Sequence, residues 1–218
     1  MEAQMGSVLP RFEPMPLARF NQAFVHSDWI FEPKMDGFRA IAHIENGNCK
    51  LVSRNRNAFK TFPELAAGLG SAICHDAVLD GEIVFLGRDG APRFYELMRR
   101  RAPQFFYVFD LLWIDGEDLR GQPLMERKRR LRGILRPPGL YVEYFSDGIK
   151  LFEEMCARDM EGVVAKLASG IYDPKATTWV KIKNPKYSQL AGRRELFDGF
   201  SARRGAGSST RRSLPQAV

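Results

Sequence analysis

Apolar and polar residues alternate from Phe38 to Glu45, with Phe38, Ala40, Ala42 and Ile44 on one side. A period of two predicts a half-buried strand. Asn46-Gly47 follows, a strong hairpin signal, and Cys49 to Ser53 is the predicted return strand. Further strands are expected at Trp29–Glu32, Ala77–Leu86, Phe105–Trp113, Tyr141–Phe145, Gly162–Leu167 and Thr178–Ile182. Phe62-Pro63-Glu64-Leu65 opens a helix, with Pro63 suited to its first turn. Phe94–Arg101 reads as a short basic helix. Leu124–Leu135 has apolar residues at Leu124, Leu131 and Leu135 with charges between, which predicts a surface helix. Pro137-Pro138-Gly139 stops it, and Ile149–Arg158 is the last helix. Met1–Arg19, with Pro10, Pro14 and Pro16, reads as an irregular lead-in. Strands joined mostly by hairpins, with helices segregated from them, predict an α+β domain. From Gly199 the periodicity is lost among Gly, Ser and Arg. The expected organisation is a domain over 1–198 and a flexible basic tail over 199–218.

Composition changes this picture in a few places. The 218 residues fit one domain or a domain with a small appendage. The net charge is +7, and Arg203, Arg204, Arg211 and Arg212 in the acid-free tail supply +4 of it. Such a balance favours a polyanionic partner, although a generally basic surface fits it as well. The three cysteines form no Cys-x-x-Cys pair, which argues against a zinc site or a disulfide frame and for reduced thiols. His26, His43 and His75 show no ligand spacing. No segment reads as a signal peptide, and the most apolar run, Phe105–Ile114, is broken by Asp110. A cytoplasmic protein with no membrane span is expected.

The chemistry centres on Phe31-Glu32-Pro33-Lys34-Met35-Asp36-Gly37-Phe38-Arg39. Pro33 fixes φ and biases Glu32 toward extended backbone. Asp36-Gly37 is a turn signal with a residue that tolerates positive φ. Lys34 is therefore expected on a short rigid connection between two strands, which suits a nucleophile. Polar residues also interrupt later strands. Asp80 and Glu82 are two apart, so both should face one side. Lys181 and Lys183 share a face across Ile182, and Glu161 opens another strand. Any one pair is usually solvent-facing. Together, carboxylates and cations around one lysine describe a site for a metal-bound polyphosphate. There is no Gly-x-x-x-x-Gly-Lys-Ser/Thr loop and no Gly-x-Gly-x-x-Gly after a strand, so side chains must hold any nucleotide.

These motifs resemble those of the covalent nucleotidyltransferases, and most closely the adenylation domain of ATP-dependent DNA ligases. Lys34-Met35-Asp36-Gly37-Phe38-Arg39 is similar to the nucleophile motif. Ser53-Arg54-Asn55 with Phe62-Pro63-Glu64-Leu65, Asp80-Gly81-Glu82, Phe109-Asp110-Leu111-Leu112, Glu161-Gly162-Val163-Val164-Ala165-Lys166 and Trp179-Val180-Lys181-Ile182-Lys183 follow in family order. They span Phe31 to Lys183, or 153 of 218 residues. The resemblance implies a DNA ligase nucleotidyltransferase fold, ATP-grasp-like, with antiparallel sheets flanked by helices. It also implies roles. Lys34 is adenylated at the α-phosphate, with Lys181 and Lys183 contacting that phosphate. The backbone at Glu32 and the ring of Phe109 hold adenine, with Lys166 also on the nucleotide. Arg39 and Glu82 lie at the ribose, and Arg39 and Arg54 are available to a nucleic-acid 5′-phosphate. Glu82 and Glu161 are the implied metal ligands. Magnesium fits a set of carboxylate, water and phosphate oxygens. Lys181, Lys183 and the cation should favour the free amine that Lys34 needs.

Full ligases follow this domain with an oligonucleotide-binding barrel. Only 35 residues follow Lys183, so no such barrel is expected here. The reading is therefore a monomeric stand-alone adenylation domain that uses ATP and magnesium on nicked duplex DNA, with a separate protein possible for the clamp. An RNA ligase or RNA-end adenylating enzyme is the alternative, and a non-catalytic nucleic-acid-binding module is the third reading.

Overall fold

A computed structural model describes residues 9–190. The chain divides into two units, the first ending at Tyr187. Of the second, only the short 3-10 turn Ser188–Leu190 is described. The expected tail over 199–218, and its boundary at residue 198, lie outside the described residues.

The first unit is built on two sheets. Residues 9–17 are irregular, as expected, but Ala18–Arg19 forms a short strand, β1. Trp29–Pro33 is β2, Phe38–Glu45 β3 and Asn48–Ser53 β4. The hairpin at Asn46-Gly47 forms with positive φ at both residues, 49° and 75°, as a tight two-residue turn requires. Helix α1 covers Pro63–Ala72, with Pro63 in its first turn. Strand β5 is Ala77–Phe85, helix α2 only Phe94–Met98, and β6 Gln104–Ile114. Glu117–Asp118 is β7, Leu124–Ile134 is α3 and Gly139–Tyr141 is β8. Helix α4, Gly148–Ala157, is N-capped by Asp147, whose carboxylate accepts from the backbone N–H groups of Ile149 and Lys150. Such a cap satisfies N–H groups that the helix itself cannot. Gly162–Leu167 is β9 and Trp179–Lys183 is β10.

The strand predicted at Tyr141–Phe145 is displaced. Its start joins β8, which runs parallel to β6, and Phe145 makes only a single bridge to Phe31. The four-stranded sheet has the order β1-β10-β9-β2, and the other the order β4-β3-β5-β6-β7 with β8 beside β6.

Three apolar clusters hold these layers. Leu65 and Leu69 of α1, Leu97 of α2 and Leu131 of α3 pack on one face of the larger sheet with Ala40, Ala42 and Ile44. Ile41, Val78 and Leu112 from the other face meet Ile30 and Trp179 of the smaller sheet. Leu9 and Met15 join that cluster, so part of the lead-in is core. Leu151 and Met155 of α4 cover the smaller sheet's outer side with Phe31 and Val163. The predicted α+β class and antiparallel hairpins are present.

Candidate functional site

Lys34 sits where the two sheets meet. β2 belongs to the smaller sheet and β3 to the larger, and residues 34–37 join them. The Lys34 amide donates to the Gly162 carbonyl at 2.9 Å. Asp36 is buried and accepts from the Tyr187 hydroxyl at 2.6 Å. The φ of Gly37 is not in the positive region that its turn signal predicts. The constraint is space, because an added Cβ would lie 2.0 Å from the Ile83 carbonyl oxygen. So the loop is fixed at both ends and in its middle.

The Lys34 Nζ donates to Glu161 Oε2 at 2.7 Å, and Lys183 Nζ lies 3.2 Å from Oε1. Burial alone would raise the Glu161 carboxyl, but Lys34 and Lys183 outweigh it and hold it below the usual range. Glu161 precedes Gly162, whose φ is 134° and where an added Cβ would lie 2.1 Å from the Ile182 carbonyl oxygen, so both backbone and space demand glycine. Lys181 also has its ammonium disfavoured, first by burial and then by Lys183 and Lys34.

A pocket opens beside Lys34, lined by Glu32, Arg39, Glu82, Phe109, Lys166 and Trp179 among others. Lys166 and Glu161 do face different neighbours, as their five-residue separation predicts. Lys166 Nζ lies 2.6 Å from Glu32 Oε2 and within 4.3 Å and 4.0 Å of the Phe109 and Trp179 ring centres. Burial lowers its pKa to about 8 against the attraction of Glu32, its one described ion-pair partner. A buried donor with spare capacity at a pocket wall is available to a ligand's acceptor atom. Glu32 is more than a source of backbone groups. Its other oxygen accepts from Lys128 Nζ at 2.6 Å.

Arg39 and Glu82 are cross-strand partners on β3 and β5. Asp80 and Glu82 lie two apart on β5 and both lie near Arg39, but they take different partners. Asp80 is buried and takes Arg39 through Nε at 3.0 Å and Nη2 at 2.7 Å, with the Tyr172 hydroxyl at 2.7 Å. Glu82 instead borders the pocket, and a register irregularity of β5 against β6 falls between Asp80 and Gly81. Arg39 Nη1 also donates to the Met15 carbonyl at 2.6 Å. Much of the Arg39 fork is thus committed to the protein, while Arg54 is exposed. Burial pushes the Glu82 carboxyl up to about 8, more than Lys34 and Arg39 pull it down.

Among the described residues no group of three His, Cys, Asp or Glu is placed to hold a metal by itself. Glu82 and Glu161 nevertheless fit a magnesium ion carried on phosphate oxygens, which needs only one or two carboxylates from the protein. Glu82, half-buried with no hydrogen bond or ion pair of its own among the described contacts, is a carboxyl that such an ion would suit.

Several contributors had no sequence signal. Arg127 and Lys128 stand in a run of cations on α3, yet both are buried. Arg127 forms a two-pronged pair with Asp110 at 2.8 and 2.7 Å. Tyr172 and Tyr187 reach the site from outside every motif. No spacing rule connects such distant positions.

The family model described as "ATP dependent DNA ligase domain" matches residues 15–183. The "Multifunctional non-homologous end joining protein LigD" of Mycolicibacterium smegmatis is 33% identical over 216 residues, 94% of this chain and 28% of that protein. The "SPbeta prophage-derived DNA ligase-like protein LigB" of Bacillus subtilis is 31% identical, with 81% of this chain and 69% of that protein covered. The ligase domain of Mycobacterium tuberculosis LigD superposes with a TM-score of 0.70 at 31% identity, over 78% of this chain and 59% of that one. The chain thus spans little more than a quarter of the mycobacterial LigD.

Proposed function

The chain belongs to the ATP-dependent DNA ligase domain family, and from that premise we propose that Lys34 takes AMP from ATP and passes it to the 5′-phosphate of nicked duplex DNA. The observation that carries this reading is the Lys34–Glu161–Lys183 cluster at the mouth of the pocket. The Nζ–phosphorus bond forms as the bond from the α-phosphorus to the departing pyrophosphate oxygen breaks. The amine gives its proton to the Glu161 carboxylate, whose Oε2 lies 2.7 Å from Nζ, as it becomes the phosphoramidate. Glu161 holds the attacking nitrogen, and Lys181 and Lys183 face the charge that develops on the phosphoryl oxygens. Phe109, Trp179 and Lys166 form the wall suited to a base, with Lys166 as a donor. Magnesium held through Glu161 and Glu82 would neutralise phosphate charge. In the second step the 5′-phosphate oxygen attacks the same phosphorus and Lys34 leaves as the amine. Arg54, exposed beside Lys34's groove, would meet that phosphate. Another domain or protein would complete the clamp around the duplex.

Incubation with ATP labelled at the α-phosphate and magnesium tests the first step. Wild type should carry a covalent label and Lys34→Ala none. Equal labelling of both proteins, or none on a wild type shown by mass to be free of AMP, overturns the assignment.

A further inference from the structure

Two lysines share one carboxylate behind the pocket. Glu32 of β2, Lys128 of α3 and Lys166 of β9 are all buried. Glu32 Oε1 accepts from Lys128 Nζ at 2.6 Å, and Oε2 lies 2.6 Å from Lys166 Nζ. Lys166 lines the pocket beside Lys34, and Lys128 is not among the described residues that do. An ammonium has three donors. Lys128 Nζ has three acceptors for them: Glu32 Oε1, the Val142 carbonyl at 3.2 Å and the Phe109 carbonyl at 3.4 Å. It thereby ties α3 to β2 and to the strand that carries Phe109.

Lys166 is placed differently. Its ammonium lies over the rings of Phe109 and Trp179, with only one oxygen of Glu32 beside it. A carboxylate with both oxygens free would close on a single lysine. Here Oε1 is already taken. The two cations also repel each other. Burial opposes the charge on Lys128, but Glu32, ahead of Tyr141, outweighs it and holds Lys128 above its ordinary value. Lys166 is pushed down to about 8, first by burial and then by Lys128, against Glu32 and Asp110. The charged groups that face Lys166 are thus Glu32 from β2, Asp110 from β6 and Lys128 from α3. Arg39 from β3 lies against the same two rings, and Glu82 from β5 lines the same pocket.

We propose that Lys128 is a positioning residue for nucleotide binding: by holding one oxygen of Glu32 it keeps that carboxylate from closing on Lys166, and so leaves N–H groups of Lys166 for an acceptor on the base. This rests on the nucleotidyl-transfer reading, with a base against Phe109 and Trp179. Lys128 itself touches no ligand. Without it, Glu32 turns both oxygens to Lys166. The pair then tightens, the like charge is gone, and Lys166 holds its proton more firmly while offering less of it to the pocket.

The test is calorimetric binding of α,β-methylene-ATP with magnesium to the full chain, from about pH 6.5 to about pH 9, a range that brackets the Lys166 titration. The analogue cannot release pyrophosphate, so binding is read apart from labelling. Wild-type affinity should fall as pH rises through about 8. Lys128→Met should bind roughly tenfold more weakly near neutral pH, as expected when a buried polar contact is misaligned. Its pH midpoint should move up by about one unit, because a like charge has been removed. Glu82 also titrates near 8, but Lys128 is not among the groups that shift it, so its contribution is common to both proteins. Lys128→Gln keeps an N–H donor for Glu32 without the charge. It should show the same upward shift with a smaller loss of affinity, and it carries the test if Lys128→Met melts below the assay temperature. A purely structural role would weaken binding and leave the midpoint in place. A midpoint unmoved in the folded variants, or wild-type affinity in Lys128→Met, overturns the proposal alone. Failure of wild type to bind the analogue at any pH overturns it together with the nucleotidyl-transfer reading.

Discussion

Glu82 shows how far the fold moves a single residue. Its ordinary value of 4.5 is raised to about 8, chiefly by burial. The folded chain therefore binds more protons than the unfolded chain between those values. The associated stability is complete below about pH 4.5 and is lost as pH rises through about 8. Glu82→Gln keeps the shape without the charge. Its melting temperature should approach or fall below that of wild type near pH 4.5 and exceed it by several degrees at pH 8. Taking the difference between the two proteins removes the opposite contribution of Lys166, whose lowered value makes the unfolded chain the better proton binder above about 8. A pH-independent difference would contradict the burial of Glu82. Asp80-Gly81-Glu82 marked Glu82 as a candidate, and it borders the pocket beside Lys34. That Asp80 turns instead to Arg39 and Tyr172 was not, because the partner Tyr172 is 92 residues away.

At the scale of elements, the loop 34–37 gains its rigidity from β5 and β9. Gly37 lies against β5 and the Lys34 amide against Gly162. Gly37→Ala would force the 2.0 Å contact with the Ile83 carbonyl open. A cost of about 1–3 kcal/mol or more is expected from such overpacking, measured by urea denaturation, with AMP labelling of Lys34 reduced at least tenfold. Full labelling at wild-type stability would mean that the loop tolerates the shift. Hairpins and helices of this chain were readable because their signals are local: alternation, Asn-Gly, a proline in a first turn. Helix α3 departs in part from its pattern. Its charges suggest a solvated face all round, yet Arg127 and Lys128 turn inward to Asp110 and Glu32. A buried cation looks like an exposed one until its carboxylate is located. Breaking such a buried pair is costly, so these pairs tie α3 to the strands that border the pocket.

At the scale of the whole molecule, the last twenty residues carry more than half of the net charge. Residues 199–218 contribute +4 to the formal +7. Removing them should leave AMP labelling of Lys34 unchanged. It should lower the salt slope for nicked duplex by up to about 0.9 for each arginine that meets a phosphate. If affinity and slope both stay at the wild-type level, the tail makes no phosphate contact. Among the described residues no helix is long and apolar enough to cross a membrane.

The sequence by itself determined the α+β class, the hairpins, the candidate nucleophile and the order of the polar motifs, because each depends on neighbours a few positions apart. Tertiary structure alone decided that Lys34 joins two sheets, that Glu161 comes within 2.7 Å of it across 127 positions, and that Glu32 lies between Lys128 and Lys166. Those facts depend on how sheets pack and on which charges burial forces to pair, and neither leaves a periodic mark on the chain.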